Sequence, residues 1–175
     1  MSSKLLAVPF FSQLDNLYNP YGTCNLTSVA MCLSYFGIVG DGDGQLEDQL
    51  YRYCLAEGLD RHNPVDLAAV CRWKGIPDDF RFDAKWSDAR AWIDDGKPLI
   101  AHGYFTRSGH IIVIRGYDDE AYGGKGAWIV NDPYGEWFTT GYDTNAPGAA
   151  LRYSYAMMED VCGSDGDLWL HFVGK

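Results

Sequence analysis

Gly22-Thr23-Cys24-Asn25-Leu26-Thr27-Ser28-Val29-Ala30-Met31 is the stretch from which the rest of the chain can be understood. A turn signal, Asn19-Pro20-Tyr21-Gly22, runs into an apolar pattern of helical period, with Leu26, Val29, Ala30, Leu33 and Phe36 on one face. Gly37 stands where a left-handed residue closes such a helix. Cys24 therefore falls at the helix start, where unpaired backbone N–H groups and the helix dipole favour a thiolate over a thiol. That place makes it a candidate nucleophile, although most free cysteines are simply small buried hydrophobes.

Working outward, residues 1–175 read as a single domain, long enough to bury a core and undivided by repeat, linker or low-complexity tract. A net charge of −10 and a pI near 4.6 argue against nucleic acid or an anionic membrane surface as partner. No apolar run approaches the roughly 20 residues of a membrane span, so no membrane insertion is expected. The N-terminal Lys4-Leu5-Leu6-Ala7-Val8-Pro9-Phe10 is too short and too broken by proline for a secretory signal.

The five cysteines, at 24, 32, 54, 71 and 162, show no paired spacing and no C-x-x-C. Free thiols, cytoplasmic synthesis and a monomer are expected, with Cys32 and Cys71 as packing residues. Gly40-Asp41-Gly42-Asp43-Gly44 suggests calcium, but Gln45 and Leu46 stand where an EF-hand needs an acid and a glycine. No metal or cofactor is assigned.

Helices are expected over residues 46–57 and after the cap Asn63-Pro64, where Leu67, Val70 and Cys71 face inward and Gly75 follows the end. A further helix begins at Ser87-Asp88 and stops at Gly96, and Phe80 and Phe82 alternate as in a short strand. Residues 98–105, 110–117 and 126–131 read as strands, followed by a helix near 155–161 and a last strand at 168–173. Helices first and a mostly antiparallel sheet afterwards define an α+β fold, the N-terminal helical part packing on the C-terminal sheet.

A nucleophilic thiol needs a base within hydrogen-bond reach and a third group to hold that base. His62 and His171 have no chemical context in the sequence, and His102, inside an apolar strand, reads as a core or wall residue. His110 differs, because it follows the turn Ser108-Gly109 and starts a very apolar strand that would hold it rigidly. For the orienting group both Asn131 and Asp132 qualify by type, but alternate strand residues face opposite ways, so only one can meet His110. Asp132 is preferred, since Pro133 forces it into an extended conformation. Trp128, Trp137, Phe138 and Tyr142 are candidates for one wall of a cleft, or for ordinary packing.

With these pieces in place, the chain resembles the bacteriocin-processing, double-glycine-leader-peptidase-like branch of the papain-like cysteine peptidases. The resemblance rests on Val8-Pro9-Phe10-Phe11-Ser12-Gln13, on residues 22–31 with Tyr35-Phe36-Gly37, and on Gly96-Lys97-Pro98-Leu99-Ile100. It continues through residues 109–118 and Val130-Asn131-Asp132-Pro133-Tyr134-Gly135. It implies Cys24 as nucleophile, His110 as general base and acid, Asp132 as the residue orienting the imidazole, and Gln13 as the oxyanion-hole amide. Two departures stand out: Asn25-Leu26 replaces the Gly-Pro of many relatives, and residues 40–45 and the tail after Gly135 lack an obvious counterpart.

The resemblance implies hydrolysis of an amide through a thioester. The favoured substrate is bacterial cell-wall peptide, as for a phage endolysin. The alternatives are a protein-directed processing peptidase or effector, a transamidase that excludes water, and a binding module on the same fold that has lost its chemistry.

Overall fold

A computed structural model describes residues 2–175. The chain opens with a short strand, β1 (Ser3–Leu5), and runs through an extended loop into α1 (Cys24–Tyr35). Helices α2 (Leu46–Glu57) and α3 (Pro64–Trp73) follow, then β2 (Asp78–Arg81) and α4 (Trp86–Asp94). Strands then dominate: β3 (Leu99–Gly103), β4 (His110–Asp118) and, after the single turn α5 (Ala121–Gly124), β5 (Ala127–Asn131). The last part holds the hairpin β6 (Glu136–Phe138) and β7 (Gly141–Asp143), then β8 (Leu151–Ser154), α6 (Tyr155–Gly163) and β9 (Leu170–Val173).

The main sheet runs β2-β9-β3-β4-β5-β8, with β1 beside the far end of β4, and every pairing in it is antiparallel. This is the α+β arrangement that the order of helical and alternating patterns predicts. Local chemistry explains the element ends. Asn63 Oδ1 accepts from the Val65 N–H at 2.9 Å with Pro64 in the first turn of α3, and Ser154 Oγ caps α6 by accepting from Met157 N at 3.1 Å. The central strands are covered on both faces, which is why Ile111-Ile112-Val113-Ile114 is an unbroken buried run rather than an alternating one. Phe172 packs on Trp92 of α4 on one face, while Asp78, bonded to the adjacent His171, faces Cys32 of α1 and Cys71 of α3 on the other. Each fully buried Leu or Ile here contributes about 1.5–3 kcal/mol over leaving it in water.

Helix α1 departs from the one-faced pattern expected of it. Leu26, Val29, Ala30, Met31, Cys32 and Leu33 are buried, and so are Asn25, Thr27 and Ser28 on the other side. The polar residues are tolerated because each is satisfied inside. Thr27 Oγ1 donates to the Thr23 carbonyl at 2.7 Å and accepts from Asn16 Nδ2 at 2.9 Å. Ser28 Oγ donates to the Ile111 carbonyl at 3.2 Å, stitching α1 to β4 directly behind His110. The active end of the helix is thus held by the protein on all sides.

Strands β1, β8 and the β6–β7 hairpin were not expected from the sequence, each being only three or four residues long. Phe82, expected in a strand, lies beyond β2 and is 60% exposed.

Candidate active site

Cys24 is the first residue of α1, and His110 is the first residue of β4. Gly109 brings the chain into β4 from a tight turn, with a positive φ of 87° that favours glycine. The turn is closed by Gly109 N donating to the Thr106 carbonyl at 3.1 Å and Thr106 Oγ1 donating to the Gly109 carbonyl at 2.9 Å. His110 Nε2 donates to Asp132 Oδ1 at 2.8 Å, and both side chains are buried. With Nε2 committed, Nδ1 is the ring nitrogen left for the thiol, and Cys24 acts on the ring by charge and by hydrogen bonding. Burial alone would lower the His110 pKa. The charges of Asp132 and Cys24, with hydrogen bonds to both, prevail and raise it to about 10.

Asp132 follows β5 and has no exposed side-chain surface. Its Oδ1 also accepts from Tyr134 N at 3.1 Å, and its Oδ2 from the hydroxyls of Tyr142 at 2.9 Å and Tyr153 at 2.8 Å. Burial and then the Asp132 charge push both phenols well above their ordinary range, so they remain donors. Gly148 packs against this residue so closely that a Cβ would lie 1.9 Å from the Asp132 carbonyl oxygen. Asn131 points the other way. Its Oδ1 accepts from Arg115 Nη1 and Ala150 N, and its Nδ2 donates to the Pro9 carbonyl, so it fastens the N-terminal segment to β5.

Gln13 bridges the two sides of this arrangement. Its backbone N–H donates to the Pro133 carbonyl at 2.9 Å, and its Nε2 donates to the Pro20 carbonyl at 2.9 Å, in the loop leading to Cys24. It is 2% exposed and does not line the cleft described next, and its Oε1 is buried without a partner. The structure thus brings Cys24, His110 and Asp132 together and leaves Gln13 at their margin, with one amide N–H uncommitted.

A cleft of about 300 Å³ opens over Cys24 and His110, with walls that include Asn25, His62, His102 and Trp169. Asn25 Nδ2 donates to the Arg61 carbonyl at 3.1 Å, so the residue that departs from the family's Gly-Pro pins the loop presenting His62. Of the four aromatics offered as a cleft wall or as packing, none lines the cleft; Trp128, Trp137 and Tyr142 pack, and Phe138 is exposed. Trp128 stacks on Trp86 and meets Tyr155 edge-on, Trp137 Nε1 donates to the Phe105 carbonyl at 2.7 Å, and Tyr142 supports Asp132. The other four cysteines are buried, and burial pushes the Cys162 thiol up to about 12 and raises those of Cys32, Cys54 and Cys71.

His171, without chemical context in the sequence, and His102, read there as a core or wall residue, become partners in the fold. His171 Nδ1 lies 3.0 Å from Asp78 Oδ1, and His171 Nε2 lies 2.8 Å from His102 Nε2. No local signal could have found this set, because its members are spread over three strands that become neighbours only in the sheet.

N-terminal helices packed on an antiparallel sheet make an α+β fold that matches C39-like peptidase structures. The model described as the Peptidase_C39 like family matches residues 5–162, and the chain belongs to that family. The matched span ends at residue 162 and so takes in β6, β7 and β8 of the segment after Gly135, but not β9. Among solved structures, a chain described as a C39-like peptidase from Bacillus anthracis is similar at 15% identity and a TM-score of 0.65, over 100% of this chain and 99% of that one. A double-glycine motif protease from an AMS/PCAT transporter, in complex with a leader peptide, is similar at 17% identity and a TM-score of 0.59. That match covers 98% of this chain and 95% of the other. UfSP from C. elegans is similar at 14% identity and a TM-score of 0.57, over 99% of this chain and 34% of that one. A search of curated proteins returns no match. Family membership implies a peptide substrate, and among the described residues no helix is long and apolar enough to cross a membrane.

Proposed function

We propose that the chain is a cysteine peptidase that hydrolyses an amide by acyl transfer. The observation that carries this reading is the line from Cys24 at the start of α1, through His110, to the buried Asp132. The reacting form is the Cys24 thiolate beside the protonated His110 ring. The Cys24 sulfur attacks the carbonyl carbon, and the oxyanion forms at the start of α1, beside the Cys24 backbone N–H. His110 Nδ1–H then protonates the leaving amine, and the C–N bond breaks to leave a thioester. The now neutral His110 takes a proton from water, which attacks the thioester, releases the acid and restores the ion pair.

Gln13 supplies the side-chain donor of the oxyanion hole through its uncommitted N–H. Gln13→Ala is expected to lower turnover about 10²–10³-fold with little change in KM. A loss in KM alone would remove Gln13 from the hole.

We propose a cell-wall peptide as the substrate, the role of an endolysin. Asp165 and Asp167 stand at the cleft and offer carboxylates to the amine of a diamino acid, which wall stem peptides carry. Purified peptidoglycans of several cross-link chemistries, incubated with the wild type and with Cys24→Ala and read by mass spectrometry, test this. New peptide termini with the wild type alone support the reading and name the bond. No release from any wall, with cleavage of a protein-borne peptide, would establish a processing peptidase such as the double-glycine motif protease. Silence on both would leave a binding module.

A further inference from the structure

A second line of polar side chains reaches the same cleft through the sheet. Asp78, His171 and His102 lie on β2, β9 and β3, which are adjacent in that order. The register sets Phe80 opposite His171 and Ile100 opposite His171. Alternation then brings Asp78 and His102 to the same face as His171. His171 Nδ1 donates to both carboxylate oxygens of Asp78, at 3.0 and 3.1 Å, and the side chains of both residues are fully buried. His171 Nε2 and His102 Nε2 share one proton across 2.8 Å. Phe80, 4.8 Å from the His171 ring and 5.9 Å from the His102 ring, and Trp169, 5.8 Å from the His102 ring, enclose the pair.

The line ends at the cleft. His102 is partly exposed and lines it together with Cys24 and His110. Among the described residues its Nδ1 has no hydrogen-bond partner, and it is not among the enclosed atoms left without one. Burial and then the His171 charge hold the His102 pKa at about 3, so the ring is neutral and carries a single N–H. With His171 Nδ1 donating to Asp78 and its Nε2 accepting, that N–H is on His102 Nε2, and His102 Nδ1 is left with a lone pair. Around Asp78, Cys32 comes from α1, and Cys71 and Arg72 come from α3; burial keeps both thiols protonated, and Arg72 donates to the Asp78 carbonyl. On the cleft side the titratable groups include Cys24, His62, His110, Asp165 and Asp167.

An ionisable pair buried in this way is seldom better for stability than aliphatic side chains of equal volume, and the rest of β3 and β9 is aliphatic or aromatic. Its effect in this fold is directional: it fixes the plane and the tautomer of a ring that opens on the nucleophile. We propose that His102 is a substrate-binding residue whose Nδ1 hydrogen-bonds the backbone of the bound peptide, with His171 and Asp78 as the residues that position it. This rests on the peptidase reading of Cys24 and His110.

The two can be separated by labelling Cys24 in the full chain with two reagents. Iodoacetamide reports the thiolate alone, whereas a diglycyl chloromethyl ketone must first seat a peptide backbone. In His102→Phe, the ratio of the diglycyl rate to the iodoacetamide rate should fall about tenfold, the value of one hydrogen bond. The loss should appear as a raised saturation constant with the limiting rate retained. His102→Asn, smaller than histidine and carrying an amide near the Nδ1 position, should recover most of the ratio. His171→Gln and Asp78→Asn should shift the saturation constant in the same direction as His102→Phe. If iodoacetamide labels Cys24 no faster than the buried cysteines, the peptidase reading falls and takes this proposal with it. Fast iodoacetamide labelling with an unchanged ratio in His102→Phe, or loss divided equally between saturation constant and limiting rate, overturns the role of His102 and leaves Cys24 and His110 untouched.

Discussion

Asp132→Ala is expected to lower amide hydrolysis about 10⁴-fold, the loss seen when the orienting carboxylate of an acyl-transfer triad is replaced, and to destabilise the fold by about 3–5 kcal/mol. Both effects follow from the number of donors aimed at one carboxylate. His110 Nε2, Tyr134 N and the hydroxyls of Tyr142 and Tyr153 all point at it inside the protein. Alanine would leave these four groups facing a gap, one of them an imidazolium stripped of its carboxylate partner. The ring would lose both its orientation and its preference for carrying the Nε2 proton. Asp132→Asn separates the two effects, because an amide retains an acceptor for His110 and can donate to a phenolic oxygen. Denaturant titrations should therefore show much of the stability recovered in Asp132→Asn, while turnover stays low. Equal stability of wild type and Asp132→Ala would mean that the carboxylate is not the acceptor on which these donors depend.

The second large effect is on pH dependence. The His110 pKa stands at about 10 against an ordinary 6.5, with burial opposing and the charges of Asp132 and Cys24 prevailing. A pKa raised in the folded state means that the fold favours the protonated ring. The resulting stability is fully present below about pH 6.5 and is lost as pH rises through about 10. Hydrolysis needs the same proton for the leaving amine, so kcat/KM should fall on the alkaline side with an apparent pKa near 10. In Asp132→Asn the charge that opposes burial is gone, so this limb should move to lower pH, and the alkaline loss of stability should flatten. Rate profiles and denaturation midpoints measured over the same pH range check both. An alkaline limb at the same pH in wild type and Asp132→Asn would show that Asp132 does not set the state of His110.

The helix that begins at Cys24 was legible from its turn signal and apolar period, and the strand that begins at His110 from its run of isoleucines and valine. Those features are local: a helix start and a doubly covered strand leave their mark within about ten consecutive residues. The choice between Asn131 and Asp132 narrowed to one residue for a similar reason, since neighbours on a strand face opposite sides. What each of them meets was not local. Asn131 takes up the N-terminal segment through the Pro9 carbonyl and Arg115, and Asp132 receives phenols from Tyr142, within a hairpin that the sequence did not announce, and from Tyr153 beyond it.

By itself, then, the sequence determined the class of fold and the three residues that meet at the head of α1, because helix starts, apolar runs and proline-directed strand ends are properties of neighbouring residues. Only the tertiary structure decided the walls of the cleft, the full burial of α1, and the line from Asp78 through His171 to His102. Positions 78, 102 and 171 are brought together by strand order β2-β9-β3. That order is set by which apolar faces the helices cover and by antiparallel backbone pairing, and neither leaves a signature at the residues themselves.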